Sequence, residues 1–435
     1  MRLKVERVIV IVLFTMGSVL RILFTPYSTG SDIPQFYGFA RSFSSSPFCI
    51  YMHETGSGEE WPYSWLYLYG PVLAMILYIV YRLVNDSRNL VDWWWEGDRY
   101  VVVVDMMWII SLKTVFIAGD LFSAYILYRM FRSARPVKRA LLAGLYYASP
   151  IVLYTSSIYG MFDSIALMFM LASLALANRP LASGLLAGTA VMTKQTMLFP
   201  ALFAGLALAL SSNYRRLYWY IIGMLMSVSL PLAFLLILCP ESSPGVMLAL
   251  KQQSLVYYPR PLVYNMNGLS SIATYLNEEY GYDTLTVIKS WPLILGVLIV
   301  VMLVAALKFG RLRDPVIAAS IAYIVFISSY WRVNPQYLAP LIAFLLLLLF
   351  KCSSIRNRNL NTVIIVSFII ANLWPLMYPI DFWFHVHIEQ PNDAVRAVVK
   401  LLSLEIYNKI IYTAYSLSLT ASLITTIIYT LYRCR

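Results

Sequence analysis

The sequence predicts an all-α polytopic membrane protein with about twelve transmembrane helices and with interfacial helices in its first outer loop. The 435 residues are 60% hydrophobic and 12% charged, whereas soluble domains carry roughly 25% charged residues. Mean hydropathy is +0.70, and the apolar residues form runs of the length that a bilayer requires. No polar stretch is long enough to form a soluble domain, so we expect one integral-membrane unit.

Membrane spans are predicted wherever an apolar run approaches about 20 residues. The first run is long for a signal-peptide core and no small-residue cleavage site follows it, so we expect it to remain as a membrane helix. The predicted spans are 8–24, 106–128, 140–156, 164–177, 181–193, 196–210, 217–238, 291–307, 315–330, 336–350, 362–378 and 410–431.

Residues 65–82 are apolar but broken by a Gly-Pro pair, and we predict an interfacial or re-entrant helix there. Counting this segment as a span would place the basic linker 129–139 outside, although cytoplasmic loops normally hold the Lys and Arg excess. Without it, 19 of the 33 basic residues and only two of the 21 acidic residues are cytoplasmic. Both termini are therefore predicted to be cytoplasmic.

This map divides the single unit, residues 1–435, into four parts. A first outer loop with juxtamembrane helices covers 25–105, a transmembrane module covers 106–238, an outer loop and candidate lid covers 239–290, and C-terminal transmembrane helices cover 291–435. Dense polar sequence on one face predicts an active site at the outer surface, since a transporter would place polar residues near the bilayer midplane.

Residues 30–37 (GSDIPQFY) leave the first span and bring one carboxylate, Asp32, to the membrane surface. A carboxylate at an apolar boundary should have a raised pKa, which suits a general base. The alternative is that Asp32 caps a short helix, as Asp commonly does. We interpret Asp32 as the candidate catalytic residue and Tyr37 as a candidate sugar or acceptor contact.

Two further charged residues, Asp163 and Lys194, lie in short outer turns between apolar runs. Charges in so apolar a chain are costly and are functional candidates by default. We predict that both contribute to donor and phosphate binding, Lys194 as a point charge. The open alternatives are a helix cap for Asp163 and a snorkelling side chain for Lys194.

A polar cluster at residues 330–337 (YWRVNPQY) is predicted at the outer end of two spans. The guanidinium of Arg332 suits a phosphate, although it could instead satisfy helix carbonyls. Asn334, Gln336 and Tyr337 are candidate contacts for sugar hydroxyls or the acceptor.

The stretch 257–269 is rich in Tyr, Pro and Asn, which indicates an ordered loop that could close over a site. We predict that Asn265 and Asn267 in this loop contact the sugar or the acceptor.

No metal, redox or nucleotide site is signalled. The four cysteines show no C-x-x-C spacing. His385 and His387 are two residues apart and share no helical face, and no P-loop, G-x-G-x-x-G or G-x-S-x-G motif is present. We expect no required cofactor, with a divalent metal left open. We also expect no nucleic-acid partner, because much of the basic charge flanks the predicted spans on the cytoplasmic side.

The order of these motifs resembles that of the GT-C glycosyltransferases, polytopic enzymes that use a polyprenyl-phosphate sugar donor. The matches are Asp32 early in the first outer loop, the juxtamembrane stretch that begins at 69–71 (YGP), the turn 160–164 (GMFDS) and the segment 187–195 (AGTAVMTKQ). Met161 departs from the family, which commonly has Gln there.

Residues 265–269 (NMNGL) and 333–337 (VNPQY) are similar to pieces of the branch that includes the first GPI mannosyltransferase and its prokaryotic relatives. At Asp32 the first loop reads Ser-Asp-Ile-Pro, without the D-x-D or E-x-D that other branches carry there. The resemblance therefore implies a GT-C-like fold and a metal-independent inverting transfer.

In that reaction Asp32 would take the proton of the acceptor hydroxyl, while Lys194 and Arg332 would stabilise the leaving phosphate. The implied donor is a polyprenyl- or dolichyl-phosphate hexose, mannose before glucose, and the implied acceptor is a lipid-linked or glycolipid hydroxyl within the membrane lipids. Because the chain is compact, we expect a prokaryotic plasma membrane rather than an endoplasmic reticulum.

Two other functions stay open: a lipid-linked-sugar flippase or secondary transporter, and a non-catalytic scaffold. Transporters often show internal repeats and acidic or broken helices near the midplane, and we find neither in the sequence.

Overall fold

The computed structural model is a polytopic all-α membrane protein with one small sheet, which confirms the predicted class. It describes residues 2–52, 66–84, 89–96, 99–260, 262, 265–352, 358–377, 386–388, 392–393 and 408–434. The helices are α1 (Arg2–Phe24), α2 (Asp32–Ser45), α3 (Pro71–Val84), α4 (Met106–Met130), α5 (Pro136–Tyr147), α6 (Pro150–Leu153), α7 (Asp163–Ala175), α8 (Pro180–Thr193), α9 (Leu198–Leu210), α10 (Tyr214–Leu238), α11 (Ser243–Ser254), α12 (Gly268–Tyr280), α13 (Leu285–Lys289), α14 (Trp291–Phe309), α15 (Pro315–Ser329), α16 (Leu338–Cys352), α17 (Arg358–Asn372), α18 (Trp374–Met377) and α19 (Lys409–Arg433).

In the part of the chain that the structure describes, each predicted span coincides with one helix, except that 140–156 falls on two helices and 362–378 on α17 and α18. Within the described residues, seven helices are long and apolar enough to cross a membrane: α1, α4, α10, α14, α16 and α19, together with α17 extended into α18. A further apolar pair, Pro136–Tyr147 and Pro150–Tyr159, is bent by 49°. The remaining predicted spans are shorter apolar helices: α7, α8, α9 and α15.

Helix α3 lies in the ambiguous segment 65–82. Its 14 residues extend about 21 Å at 1.5 Å per residue, which is less than the roughly 30 Å hydrocarbon core of a bilayer. The helix packs against α2, α4 and α8, and it buries Leu73, Leu77 and Val80. An interfacial or re-entrant position therefore stays the prediction for this segment.

A small β-sheet, which the sequence did not predict, joins two of the predicted outer loops. Strands β1 (Val91–Glu96) and β2 (Arg99–Val104) pair antiparallel, and β3 (Val386–Ile388) adds to β2 in parallel. Val102 and Val104 point into a buried apolar cluster that includes residues of α2, α3 and α4. Of the histidine pair, His387 lies in β3, and His385 lies outside the described residues.

Two apolar clusters form the core. The larger one is centred on α15 and α16, and every residue of α15 from Val316 to Ser329 is buried. The smaller one lies beneath α2, α3 and the sheet. Tyr159 packs against both clusters, so the turn before α7 lies at their junction.

Residues that the predicted topology assigns to one membrane face lie together in space. Asp163 and Lys194, from two different predicted outer turns, form an ion pair. At the predicted cytoplasmic face, Asp314 before α15 pairs with Lys351 of α16, with an N–O distance of 2.8 Å. Each pair joins segments that the map assigns to one face, and both the alternation of faces and the identity of the cytoplasmic face stay predictions from the sequence.

Two disulfide bonds connect cysteines that the sequence left without a role. Cys49, after α2, is bonded to Cys239 at the end of α10, 190 residues later. Cys352, at the end of α16, is bonded to Cys434 after α19, 82 residues later. In the predicted map the first bond lies at the outer face and the second at the cytoplasmic face.

Candidate active site

Asp32 is the first residue of α2 and is partly exposed. Pro34 is tolerated in the first turn because the first N–H groups of a helix have no intrahelical partner. The N-cap position is occupied by Ser31, whose side chain makes no capping bond. Asp32 therefore does not cap the helix, which was the alternative to a catalytic role. Instead, the hydroxyl of Tyr159 hydrogen-bonds to the Asp32 carboxylate.

The charge of Asp32 is set by competing effects. Burial raises the pKa of its carboxyl above the usual value of 3.8, while the Tyr159 bond and the positive charges of Lys194 and Arg332 lower it in part. Desolvation is the largest of these effects, so the net shift is upward. A carboxylate with a raised pKa that is still partly exposed can accept a proton from a bound hydroxyl.

Tyr159 ends a π-helical turn, Tyr154–Tyr159, that leads into α7. Its carbonyl accepts the N–H of Gly30 at 2.9 Å, and a Cβ at Gly30 would lie 2.6 Å from the Tyr159 ring. Gly160 follows with a φ of +86°, a conformation that favours glycine. The two glycines allow the Asp32 loop and the Tyr159 turn to approach closely.

Lys194 and Asp163 form a buried ion pair. The Lys194 Nζ lies 2.6 Å from Oδ2 of Asp163, and the side chains are 5% and 0% exposed. Lys194 also lies 4.8 Å from the ring centre of Phe162 and 4.9 Å from that of Tyr337. Lys194 therefore does not snorkel, and Asp163 is the first residue of α7 rather than its N-cap. Their predicted roles in donor binding stay predictions.

Arg332 lies on an extended segment between α15 and α16 and is partly exposed. Its Nε donates to Oδ1 of Asn334 at 3.3 Å, and its Nη1 donates to the hydroxyl of Tyr257. These two are the hydrogen bonds that Arg332 makes within the described part of the chain. A guanidinium has five N–H groups, so not all of them are used. Arg332 thus keeps donors for an anion.

A segment before α3 approaches the same site. The side-chain amide of Gln195 donates to the carbonyl of Leu68 at 3.0 Å, and a Cβ at Gly70 would lie 1.8 Å from the carbonyl oxygen of Met192. Tyr69 lies between Leu68 and Gly70. Burial raises the pKa of its hydroxyl, and the nearby charges of Asp32 and Asp163 raise it further. In the sequence, 69–71 was recognised only as a match to the family, and no role was predicted for Tyr69.

The cluster 330–337 contributes further groups. Gln336 and Tyr337 are partly exposed. Gln336 and Tyr159 line a small cavity of about 10 Å³ together with Tyr154, Thr155, Pro335 and Trp374. The structure therefore brings six predicted residues to one region: Asp32, Asp163, Lys194, Arg332, Gln336 and Tyr337, with Asn334 bound to Arg332.

The other three predicted contacts are buried and hydrogen-bonded within the fold, and Asn265 accepts the N–H of Val333, next to Arg332, at 3.4 Å. Tyr37 is 1% exposed, and its hydroxyl accepts the N–H of Leu90 at 3.3 Å. Asn267 caps α12 by accepting the N–H groups of Leu269 and Ser270. Asn265 is buried and accepts the N–H of Asn267 at 3.1 Å. These bonds give all three a structural use, and their predicted contacts with sugar or acceptor have no direct support.

A buried ion pair inside the spans was missed. Nη2 of Arg21, near the end of α1, lies 2.9 Å from Oδ2 of Asp120 in the middle of α4, and Nη1 donates to the carbonyl of Tyr147 at 2.7 Å. Our statement that the chain has no acidic or broken helix near the midplane was therefore wrong. Asp120 lies in the middle of the candidate span α4, and the helix pair Pro136–Tyr147 and Pro150–Tyr159 is bent by 49°.

Among the described residues, no three His, Cys, Asp or Glu side chains converge in a way that could hold a metal ion. What the site offers is one partly exposed carboxylate, a second carboxylate neutralised by Lys194, and a guanidinium with open donors. This set can accept a proton and bind an anion.

No protein-family model matches the chain, and no curated protein matches it. Among solved structures, the chain is similar to ArnT from Cupriavidus metallidurans bound to undecaprenyl phosphate, with 14% identity, a TM-score of 0.49, and coverage of 97% of this chain and 77% of that one. The apo state of ArnT from Cupriavidus metallidurans gives 12% identity, a TM-score of 0.48, and coverage of 98% and 77%. At these values the similarity assigns neither a substrate nor a residue role to this chain.

Proposed function

We propose that this protein is a membrane-embedded glycosyltransferase of the GT-C type. It moves a hexose from a polyprenyl- or dolichyl-phosphate donor to a hydroxyl of a lipid-linked or glycolipid acceptor. The observation that carries the proposal is the environment of Asp32, a partly exposed carboxylate with a raised pKa that faces the charges of Lys194 and Arg332. The sequence resemblance supports the donor class and favours mannose as the sugar.

In this reaction Asp32 accepts the proton of the acceptor hydroxyl while the hydroxyl oxygen forms a bond to the anomeric carbon. The bond from that carbon to the phosphate oxygen breaks on the opposite face, so the configuration inverts. The lipid phosphate leaves with the bonding electron pair, and Asp32 then releases its proton to water.

Arg332 is the group best suited to the leaving phosphate, because it is partly exposed and keeps open N–H donors. Preorganised donors that face developing negative charge stabilise the transition state strongly. Lys194 is already neutralised by Asp163, so we assign it the weaker role of a nearby positive charge that also favours ionised Asp32.

A lipid-linked-sugar flippase or secondary transporter is the second candidate. The observation that favours it is the buried Arg21–Asp120 pair inside the spans, since intramembrane ion pairs often mark transport pathways. Asp120, however, also accepts a hydrogen bond from Ser156, and Arg21 bonds to a backbone carbonyl. The Asp120 carboxylate is thus well supplied with protein partners, whereas the buried Nε of Arg21 has no hydrogen-bond partner among the described residues.

The test is transfer of labelled hexose from polyprenyl-phosphate mannose, and in parallel from the glucose donor, to a lipid acceptor by purified protein in vesicles. The proposal predicts labelled product from the mannose donor and inversion at the anomeric carbon. Movement of intact donor across the bilayer without product would favour the flippase. Product from the glucose donor alone would support a glycosyltransferase but would show that the transferred sugar is glucose rather than mannose.

A further inference from the structure

Lys113 is a fully buried lysine of α4 that the reaction does not use. Its Nζ donates to the carbonyl oxygens of Ser157 at 2.8 Å and Ile158 at 2.9 Å, and also to the carbonyl of Ser28. These are its three shortest contacts and match the three N–H donors of an ammonium group, while the Thr25 carbonyl and the Ser28 hydroxyl lie farther away, at 3.4 and 3.3 Å. No carboxylate of the described residues forms an ion pair with it.

The carbonyls that Lys113 binds belong to the two segments that form the site. Ser28 lies four residues before Asp32, and Ile158 lies directly before Tyr159. One ammonium group therefore ties the loop of the candidate base to the turn that supplies its hydrogen-bond partner.

Helix α4 also holds the other side of Asp32. The indole Nε1 of Trp108, a fully buried residue, donates to the carbonyl of Ile33 at 2.9 Å. Lys113 thus fixes the chain before Asp32 and Trp108 fixes it directly afterwards. Both donors belong to α4. This helix packs against α7, and that packing fixes the position of α4 relative to α7.

We propose that Lys113 is a positioning residue that, with Trp108, holds the Asp32 loop against the Tyr159 turn. The effect on catalysis rests on the proposed function, whereas the effect on loop position does not. A misplacement of about 1 Å at a reacting group can cost about 100-fold in rate. Loss of the ammonium group should therefore lower kcat and leave the KM for the donor nearly unchanged.

The experiment combines hydrogen exchange with kinetics for Lys113→Met, Trp108→Phe and the control Ser123→Ala. Ser123 is a buried residue of α4 whose hydroxyl donates to the carbonyl of Ser164 in α7 at 3.4 Å, and the described residues show no hydrogen bond from it to the Asp32 loop. We expect Lys113→Met to raise amide exchange in peptides covering 25–36 and 154–162 only, with kcat about 100-fold lower. Trp108→Phe, which conserves the aromatic ring, should raise exchange after Asp32 and lower kcat about tenfold.

The proposal is overturned if Lys113→Met and Trp108→Phe leave exchange in those peptides at the Ser123→Ala level. It is also overturned if exchange rises throughout the protein for Trp108→Phe, because the role would then be general stability. Each kinetic comparison is repeated in an Asp32→Asn background, where a positioning role predicts little further loss. If Asp32→Asn itself keeps full activity, the proposed base is wrong, while the exchange data still decide the role of Lys113.

Discussion

The Nζ of Lys194 lies 2.6 Å from Oδ2 of Asp163, and both side chains are almost completely buried. The pair joins the turn after α8 to the start of α7, directly beside Phe162 and Tyr337. Because the second oxygen of Asp163 has no hydrogen-bond partner among the described residues, this carboxylate depends on Lys194 for its neutralisation.

Breaking the pair should therefore destabilise the protein. Lys194→Met leaves Asp163 as an uncompensated buried charge, which typically costs about 3–5 kcal/mol. The double variant Lys194→Met with Asp163→Asn should recover much of that stability, because no buried charge remains. Thermal unfolding in one detergent measures both. Equal melting temperatures for wild type and Lys194→Met would contradict this role for the pair.

The activity should have an acid limb that reports Asp32. Burial raises the pKa of this carboxyl above 3.8, and only the ionised form can accept a proton. As the pH falls through the raised pKa, kcat/KM should fall tenfold per pH unit. Arg332→Gln removes a charge that lowers the pKa of Asp32, so the acid limb should move to higher pH. A limb that moves to lower pH would be incompatible with this electrostatic role.

Arg332 should determine donor binding through the phosphate. Arg332→Gln should lose one or two hydrogen bonds to the charged phosphate, each contributing about 1.5–3 kcal/mol. We therefore expect a rise in donor KM or a fall in kcat/KM of at least about tenfold. Arg260 offers a matched control, because this more exposed arginine of the same predicted face contacts Asn277 and Glu278 instead. Similar kinetics for Arg332→Gln and Arg260→Gln would remove Arg332 from the site.

The two disulfides should respond to a reductant from opposite sides of the membrane. In sealed right-side-out vesicles, an impermeant reductant should open Cys49–Cys239, at the predicted outer face, and leave Cys352–Cys434 intact. After solubilisation, a thiol-reactive polymer is added, and the increase in mass of the protein gives the number of freed thiols. Two are expected, and inverted vesicles should give the other pair. Four thiols in intact vesicles, or the opposite pair, would overturn the predicted topology.

The positions of the helices could be predicted because apolar runs reveal bilayer spans directly. Asp32, Asp163, Lys194 and Arg332 could also be found, since charges that interrupt apolar runs are conspicuous. Their contacts with one another could not be predicted, because each comes from a different turn and the sequence does not show which turns meet. Lys194 was therefore assigned to phosphate although Asp163 already neutralises it.

Other features depend on contacts between distant residues. Lys113 sits within an apolar run, and nothing nearby shows that its partners are carbonyls 44 and 85 residues away. Four cysteines permit three pairings, so neither disulfide followed from spacing. Tyr37 was chosen for its residue type and its nearness to Asp32, but the turn of α2 points its hydroxyl toward Leu90.

The most direct test of the central claim is single-turnover transfer from polyprenyl-phosphate mannose by wild type, Asp32→Asn and Asp163→Asn, each with and without a chelator. General-base catalysis contributes about 100- to 10,000-fold, so we expect Asp32→Asn to lose that factor while remaining folded. We expect the chelator to change nothing and Asp163→Asn to lose less rate than Asp32→Asn. Wild-type turnover in Asp32→Asn would contradict the assignment of Asp32 as the base.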